Sequence, residues 1–156
     1  EEFPELKWEY RIIGDGYQRT QLEKFTKKNK LEKNIKFLGY RKKNYVFKAL
    51  NDSDIFLLPS YREAFGIAYL EAMAFGLITI GVKGQGPESF IKNGITGYLV
   101  QPKDIVSIKK VLLKILKNKN ESIKLSLNGK NYIKENFTWK KHGMKLEDLY
   151  RNILRK

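Results

Sequence analysis

Ile55-Phe56-Leu57-Leu58-Pro59-Ser60-Tyr61-Arg62-Glu63-Ala64-Phe65-Gly66-Ile67-Ala68-Tyr69-Leu70-Glu71-Ala72-Met73-Ala74-Phe75-Gly76 is the stretch that decides the fold. Its first four residues form a short apolar run ended by proline, the pattern of a buried parallel strand stopping at the edge of a sheet. From Gly66 to Gly76 the side chains are apolar on every face except at Glu71, which predicts a helix buried on both sides. A carboxylate in such a helix costs several kcal/mol unless it is paired or faces a ligand. A core ion pair with a distant Arg or Lys is one reading of Glu71, and a ligand-facing acid is the other.

The strand, loop and helix together make a corner suited to an anion. Free backbone N–H groups at Phe65, Gly66 and Ile67 would point out of the helix start with the positive end of its dipole, and glycine lets a ligand approach closely. Glu63 before the helix and Glu71 within it can then accept charge-assisted hydrogen bonds from hydroxyls on either side of a bound phosphate. Hydroxyls flanking a phosphate describe a nucleotide sugar.

Outward from this corner, apolar strands alternate with helices. Strands are expected at Trp8 to Ile13, Ile35 to Leu38, Ile55 to Leu58, Leu77 to Val82 and Gly97 to Val100. Helices are expected at Tyr17 to Lys30, Tyr45 to Asn51, Gly66 to Phe75 and, briefly, Pro87 to Ile91. The alternation implies an α/β fold, a Rossmann-like parallel sheet with helices on both faces, whose ligands bind beyond the carboxyl ends of the strands. The last third reads as helical. Asp104 can cap a helix with the stripe Ile105, Ile108, Val111, Leu112, Ile115 and Leu116. Ile123, Leu127, Tyr132 and Ile133 mark a second helix, and Thr138 can cap a third carrying Trp139, Leu146, Leu149, Tyr150 and Leu154.

Several segments in order carry a family resemblance: Ile12-Ile13-Gly14-Asp15-Gly16, Ile35-Lys36-Phe37-Leu38-Gly39-Tyr40, the Glu63 to Gly76 stretch, Gly84-Gln85-Gly86-Pro87-Glu88 and Asn93-Gly94-Ile95-Thr96-Gly97-Tyr98-Leu99-Val100. Nearly the whole chain resembles the nucleotide-sugar domain of the GT-B-fold retaining glycosyltransferases with the E-x7-E motif, the glycosyl transferases group one. The resemblance implies a hexosyltransferase using a nucleoside-diphosphate sugar with retention at the anomeric carbon, toward a saccharide or lipid-linked acceptor. Glu71 would hold the ribose hydroxyls and Glu63 a hydroxyl of the donor sugar, as the catalytic residue. Phe65, Gly66 and Ile67 would stabilise charge on the leaving diphosphate. Leu38, Gly39, Tyr40 and Arg41 would border the base, and Gly14 and Gly16 would line the cleft. Residues 1–156 would be one donor-binding domain, truncated at its N-terminus near a helix end at Glu1 to Glu5. The family's acceptor-binding domain, and the Arg and Lys that clamp the diphosphate, would lie upstream, so this piece alone should not catalyse transfer. The final helix would cross back to that domain, leaving its apolar face partly unsatisfied. One departure falls inside the chain: the family pairs two glycines where this sequence has Gly84 followed by Gln85.

Composition narrows the other classes. A chain of 156 residues, 42% hydrophobic and 13% aromatic, is of single-domain size and not disordered. No apolar run approaches the roughly 20 residues of a membrane span, and the start lacks the pattern of a signal peptide. With no cysteine, a cytoplasmic site is expected, peripheral at the inner membrane face if the acceptor is lipid-linked. The formal charge of +14, nearly all from Lys, reads either as solvated surface or as attraction to an anionic membrane. The lysines are scattered and carry no nucleic-acid recognition motif, so no nucleic-acid partner is expected. His142, the only histidine, sits among lysines, and Asp52 and Asp54 beside Ser53 read as turn residues, so no metal or other cofactor is expected. Gly14-Asp15-Gly16 lacks the third glycine of a dinucleotide fingerprint and any P-loop Lys. A sugar-nucleotide epimerase or phosphorylase on the same fold, or a noncatalytic basic module binding anionic polymers or membranes, are the alternatives to a transferase.

Overall fold

The computed structural model describes residue 3 and residues 5–154. The helix end expected over Glu1 to Glu5 lies for the most part outside them. The chain divides into two compact units, Glu1–Ala49 and Leu50–Lys156. The first carries β1 (Tyr10–Ile13), α1 (Arg19–Lys28), β2 (Ile35–Gly39) and most of α2 (Lys43–Asn51). β1 and β2 run parallel, with Tyr10 opposite Ile35, and the register slips after Ile12 so that Ile13 meets Gly39. The strand expected from Trp8 begins two residues later: Trp8 is exposed, and its carbonyl accepts a hydrogen bond from the Asn34 side chain instead of a ladder bond. α1 gives way to a turn in which Lys30 adopts φ 56°, a left-handed conformation.

The second unit holds β3 (Ile55–Leu57), α3 (Ile67–Phe75), β4 (Ile78–Val82), a 3-10 turn at Gly86–Ser89, β5 (Tyr98–Val100), α4 (Ile105–Lys117), α5 (Lys119–Asn136) and α6 (Trp139–Leu154). Its strands form one parallel sheet in the order β3-β4-β5. Alternation along the strands sorts their side chains to two faces. Ile55, Leu57, Ile78, Ile80, Val82, Tyr98 and Val100 point to one side, where Ile108, Val111, Leu112 and Ile115 of α4 and Leu125 of α5 cover them. Phe56 and Leu99 point to the other and meet Tyr69, Leu70 and Met73 of α3, Phe90, Ile91 and Ile133. Every residue of the central strand β4 is buried. This is the expected α/β arrangement, with helices on both faces and a helical C-terminus.

Three helices differ in detail from expectation. α3 is buried on one side only, through Tyr69, Ala72 and Met73, while Ile67 is 65% exposed and Ala68 and Ala74 are open. Composition alone hid that asymmetry, because its outward positions are apolar too. α5 turns Ser122, Leu125, Gly129 and Ile133 inward and leaves Ile123 and Leu127 exposed. Small residues face the core because the helix passes so close that a Cβ on Gly129 would stand 2.6 Å from the Thr96 carbonyl oxygen. α4 is capped as expected by Asp104, whose carboxylate accepts from the N–H groups of Val106 and Ser107 at 2.9 and 3.1 Å, but Ile105 in its first turn is exposed. α6 buries none of its described side chains, and Trp139, Leu149, Tyr150 and Leu154 stand open. No helix among the described residues is long and apolar enough to cross a membrane.

Candidate functional site

Two loops meet at the carboxyl ends of β3 and β4. The first runs from Leu58 to Gly66 into α3, the second from Lys83 to the 3-10 turn at Gly86–Ser89. They cross backbone on backbone. The Glu63 carbonyl accepts from the Gly86 N–H at 2.8 Å, and the Glu63 N–H donates to Oε1 of Gln85 at 3.0 Å. A Cβ on Gly86 would lie 2.5 Å from the Ala64 carbonyl oxygen and from two backbone atoms of Phe65, so only glycine fits there. The second loop is braced in turn by Glu88, whose carboxylate accepts from the Gly84 N–H at 2.7 Å.

Gly66 precedes α3 with φ 94°, and the helical ladder opens with a bond from the Tyr69 N–H to the Gly66 carbonyl. The N–H groups of Phe65, Gly66 and Ile67 thus stand ahead of the ladder, at the positive end of the helix. Gly66 is itself buried, and a Cβ there would touch the Tyr69 ring at 2.7 Å. Its glycine is therefore required by left-handed backbone and by packing on Tyr69, a stronger demand than ligand approach. Phe65 is half exposed and rests edge-on against Phe90.

Tyr69 is the support under this corner. Its ring is completely buried, packs edge-on against Phe56 and closes against Gly66 and Gly81. Its hydroxyl donates to the Leu58 carbonyl, tying α3 to the end of β3. Burial first, and then the nearby negative charge of Glu63, push its phenol up to about 12, with backbone hydrogen bonding at Ser60 pulling the other way. The Glu63 carboxylate therefore lies close enough to the hydroxyl for its charge to be felt. Glu63 is half-buried, and among the described residues no N–H donates to its carboxylate. Glu71 is half-buried on the α3 face that also carries Ile67 and Ala74.

The first unit gathers the other expected residues at the ends of its two strands. The Gly14 N–H donates to the Gly39 carbonyl at 2.9 Å, and both glycines have positive φ. Arg19 fills the space over Gly39: a Cβ there would lie 2.8 Å from its Nη1. The guanidinium is held by Asp15 at 3.2 Å, Glu23 at 2.9 Å and the Phe37 carbonyl at 3.4 Å. Asp15 also accepts from the Gly16 N–H at 2.9 Å. Leu38 is half-buried in β2, Tyr40 is 78% exposed, and Arg41 lies over the Tyr45 ring at 5.3 Å.

A family model described as glycosyl transferases group 1 matches residues 3–132. The chain belongs to that family. Among similar curated proteins, N-acetyl-alpha-D-glucosaminyl L-malate synthase of Bacillus anthracis is 31% identical over 92% of this chain and 37% of its own length. A UDP-Gal:alpha-D-GlcNAc-diphosphoundecaprenol alpha-1,3-galactosyltransferase of Escherichia coli is 34% identical over 89% of this chain and 35% of its own. The chain thus spans little more than a third of these relatives. Anabaena HepE, solved in complex with UDP, superposes with a TM-score of 0.84 over 93% of this chain and 41% of that protein at 18% identity, a likeness of fold.

In this group 1 glycosyltransferase chain, Glu63, Phe65, Gly66, Ile67 and Glu71 share one loop and helix of the second unit, and Gly14, Gly16, Leu38, Gly39, Tyr40 and Arg41 share one strand pair of the first. Sequence reasoning missed three supporting residues. Arg19 was signalled by its spacing of four from both Asp15 and Glu23, the latter one turn further along α1. Tyr69 was hidden by reading as one more apolar residue, and Gln85 stood out only as a departure. No group of three His, Asp or Glu side chains fit to hold a metal occurs among the described residues.

Proposed function

We propose that the chain is the donor-binding domain of a hexosyltransferase that takes a nucleoside-diphosphate sugar and transfers its sugar, with retention, to a saccharide or lipid-linked acceptor. The observation that carries this reading is the crossing of the two loops, which fixes the Glu63 backbone just ahead of the α3 start while Glu71 lies half-open further along the same helix. A diphosphate at that helix start would take the N–H groups of Phe65, Gly66 and Ile67, which favour the negative charge that grows on the leaving group. Glu71 then holds ribose hydroxyls and Glu63 a hydroxyl of the sugar. The HepE complex with UDP supports a uridine nucleotide as the first donor to try. The acceptor, and any group that handles its proton, belong to an acceptor-binding domain of the same protein. The setting is cytoplasmic, peripheral to the membrane when the acceptor is lipid-linked, and the chemistry needs no metal or cofactor.

Calorimetric titration of the full-length protein with UDP-, GDP- and ADP-sugars, beside steady-state transfer kinetics, tests the reading. Glu71→Ala should weaken nucleotide affinity about ten- to a hundredfold at an unchanged melting temperature, the loss of charge-assisted hydrogen bonds of roughly 1.5 to 3 kcal/mol. Glu63→Gln should lower turnover with little change in affinity for the free nucleoside diphosphate, because its charge acts as positive charge develops on the sugar. A Glu71→Ala protein that melts far lower yet binds nucleotide normally when folded would return Glu71 to a structural ion pair.

A further inference from the structure

We propose that Gln85 is a positioning residue for Glu63, an inference that rests on the donor-site reading above. Gln85 has extended backbone, φ −121° and ψ 168°, so nothing in the fold demands glycine at this place. Its side chain instead spans the two loops. Oε1 accepts from the Glu63 N–H at 3.0 Å and Nε2 donates to the Gly84 carbonyl at 2.9 Å. The two partners are of opposite kind, so the amide has one orientation: turned over, it would set N–H against N–H and oxygen against oxygen.

The consequence falls on Glu63. Its N–H is held by the Gln85 side chain and its carbonyl by the Gly86 N–H, so two consecutive residues of one loop grip the peptide groups on both sides of this carboxylate. With both bonds made, the Glu63 backbone cannot rotate about either flanking peptide without breaking one. With Gln85 removed, the Gly86 bond alone remains, and the peptide is free to pivot about it. Tyr69 lies beneath, its hydroxyl on the Leu58 carbonyl, and resists collapse of the loop but does not touch the Glu63 N–H. Gln85 thus sets the direction in which the Glu63 carboxylate leaves the chain, and an error of about 1 Å in a reacting group costs up to a hundredfold in rate.

The test is a set of variants in the full-length protein. Gln85→Met keeps the length of the side chain and removes both hydrogen bonds, and Gln85→Ala removes the side chain. Each should lower kcat about ten- to a hundredfold while KM for the nucleotide sugar, affinity for the nucleoside diphosphate and melting temperature stay near those of the parent. In the Glu63→Gln background, Gln85→Met should cost little more, because the residue being aimed no longer does its work. Full turnover in Gln85→Met, beside impaired Glu63→Gln, would overturn the role of Gln85 and leave the donor site standing. Losses that multiply in the double variant, or a fall in kcat matched by falls in affinity and melting temperature, would overturn it as well. Normal turnover in Glu63→Gln would sink the donor-site reading of Glu63 and the role of Gln85 together.

Discussion

Tyr69 ties stability to pH in a direction that can be worked out. A phenol that titrates near 10 in the unfolded chain is pushed up to about 12 in the folded one, by burial and by the Glu63 charge. Below pH 10 both states hold the proton and Tyr69 contributes no pH dependence. Between about 10 and 12 the unfolded chain has released it and the folded chain has not, so stability falls as pH rises. Two pH units at about 1.4 kcal/mol each bound the loss at about 3 kcal/mol. Tyr69→Phe removes this titration and also the hydroxyl's bond to the Leu58 carbonyl, so the variant should be less stable at pH 8 by about 1 kcal/mol. The gap to the parent should then narrow, and reverse, as urea unfolding is repeated toward pH 11.5. A gap that stays constant with pH would show that the phenol is not perturbed.

Among the elements, α5 and α6 give the same substitution opposite signs. Gly129→Ala sets a Cβ 2.6 Å from the Thr96 carbonyl oxygen, a backbone atom that cannot swing aside, whereas a Cβ at Gly143 in α6 meets nothing within 4 Å. Alanine improves helix propensity at either place by up to about 1 kcal/mol. At Gly129 overpacking of about 1 to 3 kcal/mol outweighs the gain, so the melting temperature should drop, while Gly143→Ala should raise it by a few degrees. Equal shifts in the two variants would contradict the close approach of α5. The order and type of the elements were legible because strands such as Ile55 to Leu57 lie in continuous apolar runs closed by proline, and because Asp104 and Thr138 are caps. The inward face of α5 was not, since Ser122 and Gly129 are chosen for closeness and carry no hydrophobic signal. In the candidate site, the glutamates and glycines were legible from type and spacing. What aims them was not, because the bonds of Gln85 and Tyr69 join residues 22 and 11 positions apart and exist only once the sheet has formed.

At the scale of the whole molecule, a net charge of +14 carried mostly by exposed lysines should draw the protein to anionic surfaces. Each Lys or Arg near such a surface contributes about 1 kcal/mol. Cosedimentation with vesicles containing anionic phospholipid should be strong near 0.1 M salt and lost near 1 M, as the Debye length shortens from about 10 Å to about 3 Å. Equal partition onto neutral vesicles, or no response to salt, would leave the lysines as solvated surface. The crossing at Gly86 bears on how such proteins can be remade. With only a hydrogen's width between Gly86 and the backbone of Ala64 and Phe65, neither loop has a shape of its own to transplant. An engineer wishing to change donor preference by exchanging residues 84–88 with those of a relative would have to carry residues 60–66 along in the same graft, and a library randomised in one loop alone would return mostly misfolded corners.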